Sequence, residues 1–182
     1  MTTSFTRMDA GTPEQWMIIK DEHTLLQQQV PTRIKKMLRE LESIEGGFGV
    51  NQLVHSLQTA TRAERAGASE ELVLAALCHD IGKVISVPNH PAIAAEILKA
   101  YVSPETYWVI LTHQDFQGRH YYKYLGMNPA ARDQYKDHPS YALAERFTDE
   151  WDQTAFDPNY ETLPLEHFEP IIDRFFAKPR SM

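Results

Sequence analysis

The sequence predicts an all-α fold. Apolar residues recur at three- and four-residue intervals between capping signals, and sustained period-two alternation is scarce. A length of 182 residues with 42% hydrophobic and 10% aromatic content allows one substantial core and hardly two. The expectation is therefore a single helical domain over 1–182. Its centre spans about 51–152, with N-terminal helices and a C-terminal helix packing on it.

The elements follow from their ends. Thr12-Pro13-Glu14-Gln15 reads as a helix start, with Thr12 as N-cap, Pro13 at the first helical position and Gln15 closing a capping box. This helix is predicted to reach about Gln29. A second begins near Pro31 and carries Ile34, Met37, Leu38 and Leu41 on one face until Glu45-Gly46-Gly47 interrupts it. A third runs from Asn51 through His55 and Gln58 to a stop at Gly67. Ser69 caps a fourth, whose stripe of Leu72, Ala75, Ala76 and His79 ends at His79-Asp80. Asn89-His90-Pro91 opens a fifth through about Tyr101, and Ser103-Pro104-Glu105 a sixth that places His113 in its last turn. Asn128-Pro129 and His138-Pro139 open two more, the latter reaching about Asp152. Pro164 starts a final helix ending near Phe176, with Phe168, Ile171, Ile172 and Phe175 in the core.

Eighteen basic against 25 acidic residues give a net charge of −7, with no basic run able to track a phosphate backbone. Nucleic acid and anionic membrane are accordingly not expected partners, although a small anionic substrate answers to local groups and metals. One cysteine, Cys78, has no internal partner and suits a reducing compartment. The N-terminal stretch lacks an apolar run of signal-peptide length, so a soluble, cytoplasmic protein is expected. The sequence is silent on oligomeric state.

The chemistry resides in the positions of four histidines. His55, His79, His90 and His113 fall at helix ends or on apolar helical faces, beside small or apolar residues. Any one alone is more readily a core histidine bonded to a carbonyl; together with Asp80 they suggest metal ligands. Imidazole and carboxylate donors suit iron, manganese or zinc, and a two-oxygen carboxylate can bridge two ions about 3.5–4 Å apart. Asp80, directly after a histidine, is the natural bridge.

The order His55, His79-Asp80, His90, His113, Asp152 resembles the H…HD…H…H…D signature of HD-domain metalloenzymes with dinuclear sites, over roughly Asn51 to Asp152. The stretch His55-Ser56-Leu57-Gln58-Thr59-Ala60 is similar to the H-x-x-Q-T-A of the oxygenase branch, which includes myo-inositol oxygenase and organophosphonate oxygenases. Trp151-Asp152 followed by Glu166-His167-Phe168 is similar to the end of the phosphonate-cleaving members. HQDFQG and WDQTAFDPNY also look like a bacterial group described as predicted HD phosphohydrolases.

The resemblance implies that His55, His79, Asp80 and Asp152 hold one metal, with Asp149, one turn before Asp152, as the alternative final ligand, and Asp80, His90 and His113 a second that keeps positions open for substrate and O₂. It implies two iron ions, Fe(II)/Fe(III), or manganese or zinc if the chemistry is hydrolytic. Lys83 matches a lysine that contacts substrate, and Phe48 and Gln117 are further substrate-binding candidates. Gln58 is either a partner that orients a ligand or a helix-surface glutamine. Phosphonate-cleaving relatives carry a tyrosine and a glutamate before the first histidine, where this chain has Glu45 and Phe48. A primary-amine substrate is therefore not implied, and Phe48 instead suits a quaternary ammonium group through a cation–π contact of about 0.5–2 kcal/mol. The expected function is oxygenase cleavage of a C–P or C–C bond in a small hydroxylated substrate; the alternative is a metal-dependent phosphohydrolase. A non-catalytic metal module is the third reading.

Overall fold

A computed structural model describes residues 5–180, and among these every regular element is helical. The α-helices are α1 (Pro13–Gln28), α2 (Val30–Glu40), α3 (Gln52–Arg65), α4 (Glu70–Cys78), α5 (His90–Leu98), α6 (Pro104–Tyr121), α7 (Tyr141–Arg146) and α8 (Leu165–Phe176).

The caps behave as the residue types require. Thr12 and Gln15 form the reciprocal capping box of α1, and Asn51, Ser69 and Ser103 accept from the backbone of Val54, Leu72 and Thr106. Between α3 and α4 the chain turns through Gly67, whose φ of +72° lets Ala68 N–H return to Ala63 O at 3.0 Å. This short turn lays α4 against α3, so that His55 and His79 come from adjacent helices. In the same way α5 packs on α6 and brings together His90 and His113.

Ile34, Leu38 and Leu41 are buried as a stripe, with Met37 at its edge, and α8 covers α2 and α4. On α8 the fully buried residues are Phe168, Ile172 and Phe176, at i, i+4 and i+8, each contributing about 1.5–3 kcal/mol by burial. Ile171 and Phe175, expected in the core, are only partly buried because they sit on the flank of that stripe.

Four boundaries differ from the sequence reading. Helix α5 ends at Leu98, and Tyr101 closes a turn back to its carbonyl at 2.8 Å. Helix α6 continues two turns beyond His113 to Tyr121, because Phe116 and Gly118 stay in the packed interior and no breaker intervenes before Gly126. The segment after Asn128-Pro129 is a 3₁₀ stretch, Ala131–Tyr135, begun by an Asn128 side chain that accepts from Ala130 N–H at 2.9 Å. Helix α7 gives way at Phe147–Asp152 to a π-helical turn, in which Gln153 N–H reaches Thr148 O at 3.0 Å. π-turns of this kind are frequent at functional sites. None of the described helices is long and apolar enough to cross a membrane.

Candidate metal centre

Five elements converge on one buried point. His55 comes from the first turn of α3, His79 from the C-terminal end of α4 and Asp80 from the turn that follows. His90 opens α5, His113 lies in the middle of α6 and Asp152 ends the π-turn. All six side chains are buried.

The histidine rings are oriented by their Nδ1 atoms. His79, His90 and His113 each place Nδ1 2.7 Å from the carbonyl three residues earlier, at Ala76, Val87 and Ile110. His55 uses a distant carbonyl, Ala155 O, at 3.0 Å. A carbonyl only accepts, so each Nδ1 carries the hydrogen, and in the neutral ring each Nε2 presents a lone pair. The Nε2 atoms of His55 and His79 are 3.1 Å apart, and those of His90 and His113 are 3.3 Å apart.

Asp80 divides its two oxygens between these pairs. Oδ2 lies 3.4 Å from Nε2 of both His55 and His79, while Oδ1 lies 3.1 Å from His90 and 3.6 Å from His113. Asp152 Oδ1 stands 3.2 Å from His55 and 3.4 Å from His79. Asp80 Oδ1 and Asp152 Oδ2 are buried without a hydrogen-bond partner.

These groups fit divalent metal. Two nitrogens about 2.1 Å from one ion stand about 3.0–3.4 Å apart at octahedral to tetrahedral angles. Both histidine pairs match that spacing. Facing lone pairs and orphaned carboxylate oxygens repel one another unless a cation lies between them. Two groups have the spacing of metal ligands: His55, His79 and Asp152, and His79, Asp80 and His113. Asp80 lies between the two histidine pairs, one oxygen toward each.

Electrostatics among the protein groups alone point the same way. Burial pulls the His55 imidazole down, but hydrogen bonds and charge from Asp152 and Asp80 prevail and push it up to about 9. Burial alone would raise both carboxyls, yet the neighbouring histidines, with Lys83 beside Asp80, hold Asp80 and Asp152 far below the usual range. His113 is lowered, chiefly by burial and against the pull of Asp80. The cluster strongly favours a positive charge at its centre.

Asp149 is turned away. It receives Arg132 at 3.1 Å on both oxygens and His120 at 3.2 Å, outside the cluster. Gln58 makes no hydrogen bond to a candidate ligand. Its amide bonds the backbone of Asp157 in both directions, at 2.7 and 3.2 Å, and so anchors the loop whose Ala155 carbonyl orients His55. Cys78 is buried, with burial pushing its thiol up to about 12.

A cavity of about 480 Å³ opens over the His90 side of the cluster. Lys83, Phe48 and Gln117 all line it. Lys83 Nζ lies 2.5 Å from Asp80 Oδ2 and 2.7 Å from Gln52 Oε1, and Gln117 donates to Asp152 Oδ1 at 3.0 Å. Phe48 stacks on Phe156, which stacks on His55, with ring centroids 4.2 and 4.1 Å apart. Gln114, Gln153, Phe156, His120 and Tyr121 complete much of the lining. In the aromatic and basic run 120–124 Tyr122 is buried, whereas His120 and Tyr121 face the cavity. Their spacing of seven and eight residues from His113, two helical turns, was the available signal.

An all-α bundle with a buried histidine–aspartate cluster beneath a cavity defines a metal-binding helical protein. The HD domain model matches residues 53–157, more than half the chain, and the chain belongs to the HD domain family. That family is in general one of enzymes dependent on divalent metals, hydrolases or oxygenases. No curated protein matches the chain.

Proposed function

We propose that this chain is a dinuclear-iron oxygenase that cleaves a C–P or C–C bond of a small hydroxylated substrate, with a 1-hydroxyphosphonate as the leading class. The observation that carries this reading is the asymmetry of the cluster. His55, His79 and Asp152 form a closed half without access to solvent. His90, by contrast, lines the cavity, and the half it shares with His113 and Asp80 has fewer protein donors. Such a half leaves room for a substrate oxygen beside the protein ligands.

Iron, when bound, supplies the activation of O₂ and the oxidising power to take hydrogen from a substrate carbon. The chain's residues supply position. Asp80 joins the two halves; Lys83, held at Asp80 and Gln52, offers a cation to a hydroxyl or phosphonate oxygen. Gln117 fixes Asp152 from the cavity side. Phe48 and Phe156 shield the His55 side from water, and the exposed Phe48 suits a quaternary ammonium substituent.

Membership of the HD family favours a second reading, a metal-dependent phosphohydrolase, in which the same ligands hold ions that lower the pKa of a water and clamp a phosphate. Protein loaded with Fe(II) should consume O₂ in proportion to added 1-hydroxyphosphonate. Release of phosphate from nucleotides or phosphoesters without O₂, and no substrate-dependent O₂ uptake, would replace the oxygenase with the hydrolase.

A further inference from the structure

We propose that His120, braced by Asp149 and Arg132, binds an oxyanion group at the end of the substrate remote from the metals. This rests on reading the cavity as the substrate site, which both functions above require.

Arg132 is 4% exposed, an unusual burial for a guanidinium, and is spent on carboxylates: Asp149 at 3.1 Å and Glu145 at 2.9 Å. Asp149 in turn accepts from His120 Nε2 at 3.2 Å. The chain of contacts fixes the imidazole at the cavity wall, with Nε2 occupied and Nδ1 without a hydrogen-bond partner among the described residues. Arg132 also counters the charge of Asp149, so the carboxylate orients the ring without making the cavity mouth strongly negative.

The cavity's charge favours an anion. In a chain of net charge −7, no aspartate or glutamate side chain lines this cavity, while Lys83, His120 and the amides of Gln114, Gln117 and Gln153 do. The position sets a length. His120 follows His113 by seven residues on α6, about 10 Å along the helix axis. Lys83 and His90 mark the metal end and His120 the other, so the substrate is one with an oxygen function at the metals and a separate oxyanion reaching the His120 wall.

The test uses the full chain loaded with zinc, which needs no oxygen chemistry. Calorimetry compares 1-hydroxyalkylphosphonates that end in a carboxylate with those of equal length that end in methyl. In mildly acidic buffer, once the tail spans the cavity, the carboxylate should bind about ten- to a hundredfold more tightly, the range of one charge-assisted hydrogen bond. His120→Asn should abolish that advantage while leaving the methyl compounds unchanged, and His120→Lys should restore it. Equal binding of the two tails, or an advantage that survives in His120→Asn, overturns the proposal and leaves the cavity reading standing. If neither compound binds, the cavity reading fails and takes this proposal with it. Oxygen uptake is scored separately, so an inactive enzyme that still distinguishes the tails would refute the oxygenase alone.

Discussion

The Nε2 atoms of His55 and His79 stand 3.1 Å apart although both rings have committed their Nδ1 hydrogens to backbone carbonyls. With both imidazoles neutral, two lone pairs face each other and Asp152 and Asp80 add negative charge at 3.2–3.4 Å, so without metal the pair holds a proton on His55. A cation at that point converts mutual repulsion into ligation, which ties the stability of this core to metal.

Removing metal should therefore destabilise the fold as well as stop activity. At metal concentrations a thousandfold above Kd, linkage contributes about 4 kcal/mol, which for a chain of this size corresponds to a Tm shift of about 8–16 °C. Thermal melts before and after chelation measure it. An unchanged Tm would contradict metal binding within the core.

Asp152 and Asp149 should separate cleanly by metal analysis. Asp152→Ala removes the carboxylate 3.2 Å from His55 and should cost about one metal equivalent per chain. Asp149→Asn should keep the full complement but lower stability by about 1–3 kcal/mol, since buried Arg132 loses a charged partner. The reverse pattern would exchange their roles.

In metal-free protein, pH should act through His55 and the two carboxylates. The His55 value is raised from 6.5 to about 9, so its stabilising contribution is complete below 6.5 and is lost as pH rises through about 9. Asp80 and Asp152 are lowered from 3.8, so theirs is present above that value and lost as pH falls through their depressed folded values. Urea melts of chelated protein should give lower stability at about pH 9.5 than at about pH 5.5. Metal must displace the His55 proton, so metal affinity should instead rise over that interval, with proton release visible by calorimetry in buffers of different ionisation enthalpy.

Gly82 is a steric requirement of the outer half. A Cβ at this position would lie 2.4 Å from His90 O and 2.8 Å from His90 Cα, contacts with backbone that cannot move aside freely. Gly82→Ala should cost about 1–3 kcal/mol and displace His90, weakening the metal held with His113 more than the one at His55 and His79. Melting and metal stoichiometry together test this; a stable variant with full metal content would remove Gly82 from the design of the centre.

Much of this protein is legible residue by residue. The capping box at Thr12, the Asn51, Ser69 and Ser103 caps and the Gly67 turn act through groups within a few residues, so the chain order alone exposes them. The same holds for three of the four histidine anchors, because a ring's Nδ1 reaches the carbonyl three residues back on its own turn. Helix continuity was harder. Nothing local marks where α6 ends beyond His113, and the π-turn before Asp152, with Phe147 and Trp151 buried in it, has no signal in the local spacing.

What the sequence by itself determined was the helical class and most caps, which rest on periodicity and local hydrogen bonding; residue chemistry and the resemblance to the HD signature singled out the four histidines and Asp80, with Asp152 and Asp149 both open as the last member. Only the tertiary structure decided that Asp80 turns one oxygen to each histidine pair, that Asp149 faces Arg132 and His120, and that Gln58 secures the Ala155 loop instead of a ligand. Those relationships join groups tens of residues apart, where the outcome is set by how packed helices rotate their side chains in space. Local spacing carries no record of that rotation.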